Sequence, residues 1–202
     1  MNYLAVVATT VGIWALLALS LNLVTGEAGQ PSIGHAAFFG IGAYAAAVFN
    51  VRYGFPFWWT WLAAALVSGS VGALLGLVSM RLRNDFLAIT TIGVNFVAVA
   101  VFQYSSFLGG AMGIGNIVPP QIAGRPLGYP GFAALTWLVV ILVILLARHL
   151  QKAWFGYALK AIRDDEMAAE AMGIDARRYK VLAFTLATAL AGVAGSLYAH
   201  FM

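Results

Sequence analysis

Asn22, Gln30, Ser32 and His35 lie within one fourteen-residue stretch, and Thr90, Thr91, Asn95 and Gln103 recur along a later, otherwise apolar run. Their amide, hydroxyl and imidazole groups donate and accept hydrogen bonds without a fixed charge. Such groups suit contact with an uncharged or zwitterionic solute. Each could instead bond one membrane helix to another. Thr90, Thr91 and Asn95 fall within about one turn of each other on a helix, which groups them. His35 has no partner ligands near it in sequence, so a packing or hydrogen-bonding role competes with metal ligation. Glu27 carries a functional signal if it is buried in lipid and none if it is solvated at a loop.

Bond-breaking chemistry finds no support. The apolar runs hold no paired carboxylates, no metal cluster and no nucleophile with a base. With no cysteine there is no disulfide, thiolate or iron–sulfur chemistry. A G-x-x-x-x-G-K-[ST] phosphate loop is also missing, so the chain has no ATP chemistry of its own and no cofactor is expected on it.

The elements that must position these groups are membrane helices. A composition of 62% hydrophobic and 9% charged residues cannot provide a soluble domain with a charged surface. Charge-free runs extend over 1–26, 28–51, 53–80, 86–124, 126–147 and 181–202. Each exceeds the roughly 20 residues that cross about 30 Å of hydrocarbon. Continuous apolar runs point to helices rather than to a barrel. The expected fold is therefore all-α, a polytopic transmembrane helical bundle of about six spans near 3–24, 33–51, 57–80, 86–107, 132–147 and 181–200. The first span lacks a preceding Lys or Arg and contains Ser20 and Asn22, so it reads as retained rather than as a secretory signal.

Basic residues set the expected orientation. Arg81, Arg83 and the seven from Arg148 to Lys180 fall on one side, and Arg52 and Arg125 on the other; nine against two makes the first side cytoplasmic. This placement accounts for the net charge of +4 without nucleic acid as a partner. Tyr53, Trp58, Trp59 and Trp61 then mark the outer interface, where amphipathic rings prefer to sit.

Between Asn22 and His35 the chain concentrates turn formers. Pro31 and Ser32 both suit a helix start. Gly34, Gly40, Gly42, Ala43, Ala45, Ala46 and Ala47 then make a small-sided helix that permits close approach of another helix or of a solute. Two readings stay open for Gln30–His35. It is either a tight loop at the cytoplasmic surface, or a helix start inside the membrane whose N–H groups and dipole could face a carboxylate.

The stretch 148–180 reads as a cytoplasmic loop carrying an amphipathic helix over 156–173. Ala158, Ala161, Ile162, Ala169 and Met172 share one face of it, and Gly173 is a plausible stop. The stripe is narrow, mostly alanine and interrupted by Asp165, which suits a groove on another protein better than lipid. A solvated loop helix is the alternative.

Three stretches carry a resemblance. Leu21–Val24 with Gly29–Tyr44, the glycine-rich Gly109–Ile114, and Ala161–Gly173 followed by Tyr179, Lys180 and Ala191–Gly195 together resemble the bacterial branched-chain amino-acid ABC importer permeases. They are closer to the subunit lettered M than to its partner lettered H. The resemblance implies a permease subunit of an ATP-driven importer in the bacterial inner membrane, carrying branched-chain or other hydrophobic amino acids. It implies a second permease, two cytoplasmic ATPase subunits that hold the ATP, and a periplasmic or extracellular substrate-binding protein. It makes Ala158, Ala161, Ile162, Glu166, Ala169, Met172 and Gly173 the candidate ATPase-coupling residues, with Asn22, Gln30, Ser32, His35, Thr90, Thr91, Asn95 and Gln103 as candidates for the solute path. It also implies further helices, so 1–202 is expected to be one permease domain that is incomplete at its C-terminus. The alternatives are a urea or short-amide permease of the same kind, or a partner-independent channel or secondary transporter, which would normally show intramembrane ionisable residues.

Overall fold

The computed structural model describes residues 2–79, 84–122 and 125–202. These form eight α-helices: α1 (Asn2–Asn22), α2 (His35–Tyr53), α3 (Phe57–Ser79), α4 (Asn84–Tyr104), α5 (Tyr129–Lys152), α6 (Trp154–Asp164), α7 (Glu166–Ala171) and α8 (Ala176–Phe201). Among the described residues the strand structure is one two-residue antiparallel ladder, Gln121–Ile122 against Arg125–Pro126. Basic residues Arg81 and Arg83, part of the charge count, lie outside the described residues.

Local chemistry explains the helix ends. α1 runs without a break into a π-helical turn, Leu23–Glu27, a wider winding that recurs at functional sites. Gly54 ends α2 in the left-handed region at φ 66°, and its N–H reaches the Asn50 carbonyl. A proline in the first turn opens α5. Asp165 and Asp175 cap α7 and α8, each accepting a 3.0 Å bond from the backbone N–H three residues on.

α8 is the central helix, packed between α2 and α3 along its length and against α1. Lipid supplies no hydrophobic drive for helices to associate, so close packing and small residues must hold them. A methyl group on Gly42 of α2 would overlap the backbone of Gly192 on α8. One on Gly192 would come within 2.6 Å of the Ala64 carbonyl oxygen of α3. The Ser68 hydroxyl of α3 lies 3.0 Å from the Phe38 carbonyl of α2 and 2.7 Å from the Thr188 carbonyl of α8, tying the three helices at one level. Replacing Gly192 by leucine is accordingly expected to pry α8 from α3. Overpacking of about 1–3 kcal/mol should lower the melting temperature in detergent by roughly 5 °C, read by a thermal-shift assay.

Larger apolar side chains fill the space between α1, α5 and α8, with Ile13, Leu16, Phe132, Val140 and Leu197 at the centre. A second cluster joins Val24 and Phe38 to Phe184 and Ala187. The aromatic side chains of Trp58 and Trp59 are exposed at one end of the bundle, as expected for a membrane interface. α6 and α7 lie at the other end.

Helices form at all six expected places. Four are long and apolar enough to cross a membrane: 3–27, 57–78, 129–152 and 176–201. A fifth crossing arises if 88–104 and 106–112, bent by 76°, count as one span. The remaining helix, α2, carries His35, Asn50 and Arg52 near its ends, and these polar groups with its glycines lower its hydropathy. Two expected boundaries shift. Pro31 and Ser32 precede α2 rather than starting it, and its N-cap is Gly34, which offers no side-chain bond. The single helix expected over 156–173 is two helices, because Asp165 is extended at φ −155° and caps the second.

Candidate functional site

The segment from the π-helical turn to the start of α2 folds back on itself. The Gln30 N–H bonds to the Val24 carbonyl at 3.1 Å, and Gly29 takes the left-handed conformation at φ 65°. On one side His35 Nε2 lies 2.8 Å from the Ser20 hydroxyl of α1. On the other, the Ile33 N–H donates to Thr91 Oγ1 of α4 at 3.1 Å, and that hydroxyl donates to the Ala88 carbonyl at 2.8 Å. Gly34 packs against α4 so closely that a methyl group there would overlap the Thr91 carbonyl oxygen.

Polar groups are thereby gathered out of solvent. Ser20, Gln30, His35 and Thr91 are exposed by 0%, 1%, 4% and 3%. Ser32 Oγ and His35 Nδ1 are buried and make no hydrogen bond among the described residues. A buried polar atom left unpaired costs about 1–3 kcal/mol, so both atoms call for a polar partner beyond the described residues.

Of the solute-path candidates, Gln30, Ser32, His35 and Thr91 come together here. Thr90 and Asn95 stay half-buried on α4 nearby. Asn22 is turned away, lining a groove against α5 with Glu27 and Gln151. Gln103 is exposed near the far end of α4, more than three turns from Thr91. Ser20 escaped the sequence reading because a lone serine in an apolar run looks like any helix residue that bonds its own backbone. It does also reach the Leu17 carbonyl, at 2.7 Å.

α6 grips the same turn from below. Arg163 Nη1 donates to the Gly26 carbonyl at 2.8 Å, and the arginine stem lies where a side chain on Gly29 would have to go. Next to it Gln151 Nε2, at the end of α5, donates to Glu27 Oε1 at 2.8 Å. Glu27 is therefore held in a polar contact at a helix end.

The face of 156–173 expected to meet a partner is turned inward. Ala158, Ile162 and Ala169 are buried, Ile162 and Ala169 against the chain's own Ala176 and Tyr179, while the neighbouring Leu159 packs on Ala28 and Ala183. An alanine-rich stripe permits this, since small side chains let helices approach closely. Ala161 is half-buried, and Glu166 is engaged with Lys180 at 2.6 Å. Met172 and Gly173 remain exposed, and Met172 projects at 83% exposure beside Met167 at 81%.

An apolar helical bundle holding a sequestered polar turn, with an elbow of two short helices latched to that turn, defines a multi-pass membrane protein. Residues 3–202 match the model of the branched-chain amino acid transport system permease component, and the chain belongs to this family. It is 34% identical to the high-affinity branched-chain amino acid transport system permease protein LivM of Escherichia coli, over 96% of this chain and 51% of that protein. Identity to the probable LivM of Methanocaldococcus jannaschii is 27%, over 93% of this chain and 64% of the relative. For the probable LivH of the same organism it is 28%, over 90% and 61%. The chain thus spans between about half and two thirds of the length of these curated relatives. No solved structure matches it.

Proposed function

We propose that the chain is the membrane-spanning core of a permease subunit in an ATP-driven importer for branched-chain or other hydrophobic amino acids. The observation that carries this reading is the match of residues 3–202 to the branched-chain amino acid permease family, and the latch of Arg163 on Gly26 supports it by joining an elbow of short helices to the polar turn bearing Gln30, Ser32 and His35. In this reading 1–202 is one permease domain with six spans in a bacterial inner membrane, and the 148–180 loop faces the cytoplasm. ATP is held by two separate ATPase subunits and none by this chain. A second permease completes the path, and a substrate-binding protein delivers the solute at the opposite end.

ATPase closure would push the elbow of α6 and α7 as a unit. Its buried side transmits the push, because Ile162 and Ala169 bear on Ala176 of α8, and Leu159 on Ala183 of α8 and on Ala28 after the π-helical turn. Contact with the ATPase falls to the outward side, Met167, Met172 and Gly173. Glu166, paired with the largely buried Lys180, fixes the start of α7 against α8.

Co-purification of the full-length permease with its ATPase tests this division. Met172→Arg places a charge on the outward side and is expected to reduce ATPase recovery at least tenfold while membrane insertion stays intact. Ala169→Arg, at a position 5% exposed, should instead destabilise the permease itself. Full ATPase recovery with Met172→Arg would exclude that surface as the docking site.

A further inference from the structure

The glycine-rich segment at the end of the bundle away from α6 is tied down at both ends to the last turn of α2. Arg52 donates to the Phe107 carbonyl and sets its guanidinium 4.1 Å from the centre of the Phe107 ring. Asn50 accepts from the Val118 N–H at 2.8 Å and donates to the Phe55 carbonyl at 2.9 Å, which fixes its amide. Between these anchors the backbone turns through positive φ at Gly109, Gly110, Gly113 and Asn116. The result is a strap that arches over α2 and the end of α8.

Beneath the strap is an open cleft of about 490 Å³, bordered by Met202 and of a size that holds small ligands. Ala43 and Ala47, one turn apart on α2, and Ala199 on α8 leave the room, and Ile114 and Ile117 of the strap line the roof. None of its lining residues is Asp, Glu, Lys or Arg. Both ring nitrogens of His200 face protein oxygens, Ser196 O at 2.8 Å and Thr60 Oγ1 at 3.4 Å. The Tyr44 and Tyr198 hydroxyls, by contrast, make no hydrogen bond with the described residues. Their rings are held in place, Tyr44 stacked 4.4 Å from Phe102 and Tyr198 packed 5.4 Å from Phe39.

We infer that this strap pocket seats the solute on its outer side, with the alanine floor and isoleucine roof taking an apolar side chain and the two tyrosine hydroxyls meeting the charged ends of a zwitterion. A phenolic hydroxyl both donates and accepts, so it serves a carboxylate or an ammonium. The two hydroxyls serve the ends of the zwitterion, whereas a further charge on the side chain would fall on the alanine floor and isoleucine roof, where no polar group offsets its desolvation. This assignment rests on the amino-acid importer reading and adds to it a place and a means of selection that none of Gln30, Ser32, His35 or Thr91 provides.

Residues 1–202 contain no cysteine, and any cysteine elsewhere in the permease is replaced by serine, so a single introduced thiol reports one position. Ala43→Cys in the floor and Ile117→Cys in the roof are made in the full-length permease, assembled with cysteine-free partners in vesicles. The rate of maleimide labelling is measured with and without leucine or lysine, alongside ATP-driven leucine uptake. Leucine is expected to slow labelling at both positions at least fivefold, and lysine to leave it unchanged. Rates unaltered by leucine while uptake proceeds would overturn the pocket, as would equal protection by lysine. Protection without uptake would keep the pocket and remove the importer reading.

Discussion

Replacing Arg163 by alanine in the full-length transporter is expected to leave the ATPase bound and hydrolysing while leucine uptake per ATP falls about tenfold. The guanidinium makes the charge-assisted bond from α6 to the Gly26 carbonyl, and its stem backs the left-handed turn at Gly29. A hydrogen bond to a charged group is worth about 1.5–3 kcal/mol, and the lower figure applies to a side chain 42% exposed. Because 1.4 kcal/mol is tenfold in an equilibrium, losing the bond should shift the balance between gripped and released turns by about that factor. ATPase docking, proposed above for the outward side of the elbow, should be untouched. Arg163→Lys keeps the charge but not the planar fork, so an intermediate coupling ratio is expected. Uptake and hydrolysis falling in proportion would mean that Arg163 only stabilises the elbow.

Gly34→Ala carries the largest expected effect at the polar turn. The added methyl group would overlap the Thr91 carbonyl oxygen, a backbone atom in the middle of a helical hydrogen-bond ladder that cannot rotate away. Either the turn or α4 must move, at a cost of about 1–3 kcal/mol. Uptake should drop at least tenfold, and the melting temperature in detergent by several degrees. Thr91→Val separates packing from hydrogen bonding at the same contact. It keeps the shape but removes the acceptor of the part-buried Ile33 N–H, a loss of about 1 kcal/mol. Measured uptake and melting temperature of Gly34→Ala equal to the wild type would show that the turn does not rest on α4 as described.

Much of the architecture was legible because apolar runs broken by single charges mark helices by length alone. Positions along each run were also readable where chemistry is local, as in the turn after Asn22 and the stop at Gly173. What escaped depends on which face a helix turns to its neighbours. Ala158, Ile162 and Ala169 formed a visible stripe, but periodicity does not distinguish a face that meets another protein from one that packs on α8 of the same chain. Asn22 and Gln103 were grouped with the polar path by residue type, and in the fold Asn22 lines a groove against α5 and Gln103 lies near the far end of α4. Ser20 and Arg163 became visible only as contacts, across 15 and 137 residues of sequence. The strap pocket is non-local in the same way, joining α2, the 109–117 segment and the end of α8.

Uptake of labelled leucine into vesicles holding the full-length permease, its partner permease and the ATPases, with ATP supplied or withheld on the ATPase side, tests the central claim most directly. Accumulation that requires ATP, the ATPases and the substrate-binding protein, and that Arg163→Ala uncouples, is the predicted result. Leucine flux that proceeds equally without ATP or without the ATPases would contradict it and make the chain a partner-independent channel or carrier.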